Sequence, residues 1–391
     1  MDNTILAEGQ GQLEQAVQLR RRIHTQPEIG LDLPRTQEAI LEALDGLGLQ
    51  LTTGTGTTSV VGVLDGGRPG PTTLLRADMD ALPVGEDTGL PFASAVDGAM
   101  HACGHDSHVA MLVGAARVLA LRGADVAGRV VFMFQPGEEG HGGAEVMLSE
   151  GLLSQYGPID RAFALHIIPT LPSGSIFTRA GALMASADSF EVVITGQGGH
   201  ASMPHDAVDP IPVACEIVTA LQSMVTRRVP AFDPAVVTVS RISGGTTNNV
   251  IPESVVLEGT VRAVSDATRS LVLDRLRHVT EHVAAAHLCS ARLTTGSVRF
   301  PVLFNDAAAA LRTRQVAAAL VGGDHSVEMA SPIMGAEDWA YVLQQVPGSL
   351  AFLGAAPPGV DRPAPNHSNR MLIDESAMAV GIAMHAAMAL A

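Results

Sequence analysis

Between Ser59 and Ile167 the chain alternates unbroken apolar runs with helical segments, and no other feature narrows its fold so far. The runs are SVVGVLD, TTLLRADMD, GRVVFMFQ and IDRAFALHI; one helix begins near Ser107 and another runs through AEVMLSEGLL. A strand apolar on both faces must be covered on both, and strands joined through helices tend to lie parallel. The pattern therefore predicts an α/β unit with a mostly parallel, doubly covered sheet. Sites in such sheets gather in loops past the carboxyl ends of strands. Asp78, Asp80, Glu138, Glu139 and His166 all fall there.

From about Ser186 the texture changes. DSFEVVITGQ alternates apolar and polar residues, as a strand exposed on one face does. A helix over Pro210 to Arg228, the strands AVVTVSRISGG and SVVLEGTVRAV, a helix near Ala267 to Leu288 and the strand ARLTTGSVRF follow. The order β-α-β-β-α-β predicts a ferredoxin-like α+β domain over 186–300, inserted into a first domain formed by 1–185 and 301–391. The chain closes with a helix starting near Asp374. A length of 391 residues suits two such domains.

The 47% apolar and 16% charged composition is that of a globular protein. A net charge of −16 argues against a basic surface for nucleic acid or anionic lipid, so an anionic substrate must meet a local cluster of positive charge. No apolar stretch is long and continuous enough to span a bilayer, and MDNTILAEGQGQLEQ shows no basic region leading into an apolar run. The expectation is a cytoplasmic protein without membrane contact. Cys103, Cys215 and Cys289 form no regular framework, which leaves Cys103 a free thiol.

MHACGHDSHV crowds that thiol against His105 around Gly104. Residues two apart do not share a helix face, so the pair belongs to a tight loop, with Asp106 or Ser107 capping the helix that follows. Two readings stand: a thiolate and imidazole that ligate a metal, or a small buried cysteine beside structural histidines. QPGEEG sets Glu138 beside Glu139; neighbouring carboxylates avoid repulsion if one ligates a metal and the other serves as general base, while an ordinary acidic loop is the alternative. His166 in ALHIIP and His367 in PAPNHSNRM mean little singly. Together Cys103, His105, Glu139, His166 and His367 supply five donors, one more than a closed tetrahedral zinc site uses. With Glu138 unliganded beside them, the set suits a two-metal hydrolase whose ions share an activated water.

RRIHTQPEIG, LLRADMDALPVGE, MHACGHDSH, QPGEEGHGGAEVM, LHIIPTLPSG, GGHASMPHDAVDPI, SGGTTNNVIPESVVLEGTVR, GAEDWAYV and NHSNRM resemble, in order and nearly end to end, the M20 family of metallopeptidases and amidohydrolases. The likeness is to its branch of hippurate, N-acyl-amino-acid and auxin-conjugate hydrolases. That resemblance implies a catalytic domain holding two divalent ions through Cys103, His105, Glu139, His166 and His367, with Glu138 as general base. It also implies a smaller lid domain through which the chain forms a homodimer. His200 resembles a lid residue that reaches the partner subunit's site to stabilise an oxyanion, and Asn249 and Arg262 match lid positions that resemble substrate contacts. Asp78 and Asp80 are candidates for orienting histidine ligands, their alternative being strand-end turn chemistry.

Departures are Gly137 where alanine is common, His141 after the glutamate pair, and HSNRM in place of HSPxF. His24, His108, His205, His278, His282, His287, His325 and His385 receive no role. The function expected is hydrolysis of the N-acyl bond of an N-acyl-amino acid, a small molecule, to a carboxylic acid and a free amino acid. A metallo-carboxypeptidase or dipeptidase is the nearest alternative, and a non-catalytic metal-binding protein one from another class. Thiolate suits zinc, whereas imidazole and carboxylate also accept manganese, cobalt or nickel.

Overall fold

A computed structural model describes residues 4–391, with side chains throughout except at 297 and 298. The chain divides into two compact units. The first runs up to Leu183 and resumes over Phe304–Ser331 and Asp338–Ala391; the second is Met184–Leu303 with Pro332–Glu337.

The first unit is built on an eight-stranded mixed sheet. Its chain-order strands β1 (Gln50–Thr53), β2 (Val60–Asp65), β3 (Arg68–Asp78), β4 (Ala127–Gln135) and β5 (Arg161–Ile168) lie in the order β1-β2-β4-β3-β5, followed by Gly348–Gly354, Ile176–Thr178 and Ser326–Glu328. The centre is parallel: β3 pairs with β4 and β5, and β5 with Gly348–Gly354. Antiparallel pairs flank it, β1 with β2, β2 with β4, and Gly348–Gly354 with Ile176–Thr178. The central strands carry buried side chains on both faces, which is why they read as continuous apolar runs: Phe132 and Phe134 on β4, and Phe163 on β5, are fully covered.

Helices α1 (Thr4–Thr25), α2 (Pro34–Leu44) and α3 (His105–Leu121) pack with the C-terminal helix Met378–Leu390 around one core. Most of α3 is buried, including Val109, Leu112, Val113 and Leu119, so its sequence lacks a polar face. Each such aliphatic side chain contributes roughly 1.5–3 kcal/mol on burial. Gly114 lets the C-terminal helix come close, since a Cβ there would stand 2.8 Å from Cδ1 of Ile382.

Two helix boundaries differ from the sequence expectation. α3 starts at His105, because Gly104, at φ 85°, takes the cap position that Asp106 or Ser107 was expected to fill. The helix expected through AEVMLSEGLL is two short ones, Gly143–Ser149 and Leu152–Gln155, broken at Gly151 with φ 97°.

The second unit is a four-stranded antiparallel sheet in the order Ala235–Gly244, Ser254–Ala263, Ala187–Thr195, Ser290–Phe300. Helices Pro210–Arg228 and Asp266–Ala286 cover one face. The strict alternation of buried and half-buried residues along Ser254–Ala263 is the period-two signature of that one-sided burial. Strand and helix order are those of a ferredoxin-like unit.

Candidate metal centre

Three adjacent strand ends supply the scaffold. β3 ends on Asp78, β4 on Gln135 just before the Glu138–Glu139 turn, and β5 carries His166 near its carboxyl end. Gly104 brings a fourth element to them. Its left-handed backbone turns the chain between Cys103 and His105, and a Cβ there would fall 2.6 Å from Cγ2 of Ile167, so both the torsion and the close approach require glycine.

These elements bring the five expected donors together in two groups with one member in common. Donor atoms of Cys103, His105 and His166 lie within 4.8 Å of one another, and so do those of Cys103, Glu139 and His367. Cys103 Sγ is 3.4 Å from His166 Nε2. Glu139 Oε1 is 3.3 Å from His367 Nε2 and 3.9 Å from His105 Nε2. One sulfur donor at the vertex of two donor triplets is an arrangement that suits two ions. Glu138 is buried and lies within the same 4.8 Å of His105 and Glu139.

Surrounding groups fix the glutamate turn and the His166 ring. Both oxygens of Asp80 accept backbone N–H groups, Oδ1 from Glu138 and Oδ2 from Glu139, each at 3.0 Å. His166 donates Nδ1–H to Ile167 O at 2.9 Å, which leaves the lone pair on Nε2, the atom facing Cys103. His108, given no role from sequence, accepts the Ile167 N–H on Nε2 at 2.8 Å and donates Nδ1–H to Asp78. Arg76 completes the support: it donates to Gln135 at 2.9 Å, to Asp78 at 2.6 Å and to Asp338 at 3.2 Å, and Asp338 also accepts from Gln135 and from Ala144 N. Nothing in the sequence links Arg76 to Asp338, which is 262 positions away. Asp78 and Asp80 thus both do more than terminate a strand.

The electrostatics describe a place that lacks positive charge. Burial disfavours an imidazolium at His105, yet Asp78, Cys103 and Asp80 lift its pKa well above the usual value. The Cys103 sulfur and then the Glu139 carboxylate, close beside the ring, raise His367 to about 10. Burial and then His108 hold His166 well below its ordinary value, keeping it neutral. Asp78 stays ionised despite burial because Arg76, His105 and His108 surround it. Both ring nitrogens of His105 and Oε1 of Glu139 are buried without a hydrogen bond. Orphaned donor atoms, soft and borderline in type, amid an excess of anionic groups fit divalent cations.

His367 is the half-exposed member, with a positive φ of 68°. Next to the centre, Asp106 is fully buried between Arg20, whose Nε is 3.1 Å away, and His24, whose Nδ1 is 2.7 Å away. The other face of His24 meets Glu86 at 3.3 Å, and despite burial these carboxylates raise its pKa to about 9.

His200, Asn249 and Arg262 belong to the second unit. His200 and Val250 pair across a short antiparallel ladder, and Ala201 N–H donates to Asn249 O, so His200 and Asn249 are neighbours there. Both are exposed. His200 Nδ1 accepts the Ser202 N–H at 3.1 Å, which places the ring proton on Nε2. Arg262 stands half-buried on the strand Ser254–Ala263, its pKa lowered by burial and partly restored by Asp188.

A sequence profile of Peptidase family M20/M25/M40 matches residues 74–391. Thermostable carboxypeptidase 1 of Saccharolobus solfataricus is 35% identical over 95% of this chain and 94% of its own length. N-acetyl-L-cysteine deacetylase of Bacillus subtilis is 38% identical over 93% of this chain and 85% of its own. The crystal structure of the YXEP protein of Bacillus subtilis, described as a dinuclear metal binding peptidase from the M20 family, superposes with a TM-score of 0.83 at 33% identity, covering 97% of this chain and 98% of that one.

Proposed function

This chain belongs to Peptidase family M20/M25/M40 and is a metal-dependent amidohydrolase of that family. From that premise we propose that it hydrolyses the amide bond of N-acyl-amino acids, acetyl, benzoyl or longer, to a carboxylic acid and a free amino acid. The observation that carries the reading is the shared vertex at Cys103, which splits five donors into two triplets with Glu138 beside them.

Cys103, His105 and His166 would hold one divalent ion, and Cys103, Glu139 and His367 the other; zinc, manganese, cobalt and nickel all suit the set. When bound, the ions would supply Lewis acidity toward an acyl carbonyl and make a water in the site acidic. The protein does the rest. The Glu138 carboxylate accepts a proton from the attacking water and returns it to the amine nitrogen as the C–N bond breaks, so protons balance over the cycle. Asp80 holds the backbone of both glutamates, so Glu138 and Glu139 keep separate tasks. His200 carries its proton on Nε2, the tautomer that donates to an oxyanion, and the proposal assigns it that task in a homodimer, with Asn249 and Arg262 contacting the substrate's amino-acid portion. The guanidinium of Arg262 suits a carboxylate.

Glu138→Ala tests the assignment: turnover falls to background while metal content stays at the wild-type level. Loss of metal together with activity would make Glu138 a ligand instead. Rates on benzoyl-glycine, acetyl-amino acids and dipeptides separate an acylase from the carboxypeptidase activity that the Saccharolobus relative's name carries. No hydrolysis across the panel with added metal would leave a metal-binding protein without this chemistry.

A further inference from the structure

Resting on the metal centre proposed above, we propose that Asn366 is its positioning residue, a single amide that sets three of the five donors against one another. The His367 loop has no regular secondary structure, yet it must hold His367 in a left-handed conformation that a non-glycine residue adopts only when its surroundings impose it. Two anchors impose it. His367 N–H donates to Ala102 O at 2.7 Å. The side chain of Asn366 donates to Cys103 O at 3.1 Å and to Ile167 O at 3.2 Å.

The chemistry of those partners assigns the amide. Both acceptors are carbonyls, so the end facing them is the NH2 group, and its two hydrogens serve one carbonyl each. Nδ2 also lies 3.9 Å from Cys103 Sγ, at the outer reach of an N–H···S contact. Ile167 O is the same atom that accepts Nδ1–H from His166 and thereby turns Nε2 toward the thiolate. One side chain consequently ties the backbone of Cys103, the carbonyl that orients His166, and the strained residue His367 beside it. Partners that orient ligands typically change metal affinity 10- to 100-fold when removed.

The experiment uses the full-length protein loaded with Co2+, comparing wild type with Asn366→Leu, which keeps the branching at Cγ without donors, and Asn366→Asp, which keeps shape but faces two carbonyls with a carboxylate. Affinity is read by chelator competition, and ligand geometry by the near-ultraviolet thiolate-to-cobalt absorption. Each variant is expected to hold its weaker ion roughly 10- to 100-fold less tightly and to show a shifted or weakened thiolate band, while the metal-free protein melts near the wild-type temperature. Wild-type affinity and band in folded variants overturn the proposal. So does an affinity loss that only follows a lower metal-free melting temperature with the band unchanged, for then Asn366 anchors a loop and nothing more. If Leu at this position fails to fold, the Asp variant carries the same readouts. Failure of the wild-type protein itself to bind cobalt strikes the metal centre, a different outcome from variants that match it.

Discussion

Asp80 is the residue that holds the backbone of both glutamates, its two oxygens being occupied by the Glu138 and Glu139 amides, and the division of labour proposed for that pair depends on it. Asp80→Ala frees that turn, and kcat should fall roughly 10- to 100-fold with the circular dichroism spectrum unchanged, as removal of an orienting partner does elsewhere. Steady-state kinetics alongside metal analysis checks it. A second residue-scale consequence concerns His385. It is wholly buried in the C-terminal helix with its ring edge on Phe163, and neither nitrogen has a hydrogen bond. Burial, with a smaller push from His108, lowers its pKa from 6.5 to about 3. Between those values the unfolded chain binds a proton that the folded protein refuses, so proton linkage adds no cost above pH 6.5 and destabilises progressively as pH falls below it, by up to about 1.4 kcal/mol per pH unit. Urea midpoints measured from pH 7 to pH 4 should therefore decline less steeply for His385→Leu than for wild type; parallel curves would show that this ring is not the acid-sensitive group.

Elements were more legible in the sequence than their ends. The buried strands of the first unit announced themselves by unbroken apolar runs and the first strand of the second unit by alternation, since those signals come from the two-sided or one-sided burial the structure shows. The start of α3 was not legible, for a physical reason. Asp106 and Ser107 are common N-cap types, but the Asp106 carboxylate is taken by Arg20 and His24, partners at the far end of α1, and Ser107 Oγ bonds back to Gly104 O. Gly104 caps instead by its backbone torsion, which composition does not reveal. The element-scale prediction follows from that turn: Gly104→Ala faces both a left-handed torsion and the Ile167 side chain, and should destabilise the protein by about 1–3 kcal/mol, read from denaturant unfolding. A variant as stable as wild type would mean the turn tolerates a Cβ by moving Ile167.

Across the molecule, the candidate donors were readable only as a set and through the family resemblance, while their supports were not readable at all: Arg76 with Asp338, and Asn366 with Ile167, meet across separations along the chain that leave no local pattern. A centre with excess anionic character also couples cation binding to folding. Chelation should lower the melting temperature, and added Zn2+ or Mn2+ should restore it in proportion to the logarithm of free ion concentration, as measured by calorimetry. An unchanged transition after verified metal removal would uncouple the two. The division of the donors along the chain also bears on biosynthesis. Four of them lie before residue 170, while His367 follows the whole second unit. During synthesis the ribosome releases one triplet more than two hundred residues before it completes the other, so the nascent polypeptide can offer a place for one ion long before it can seat a pair.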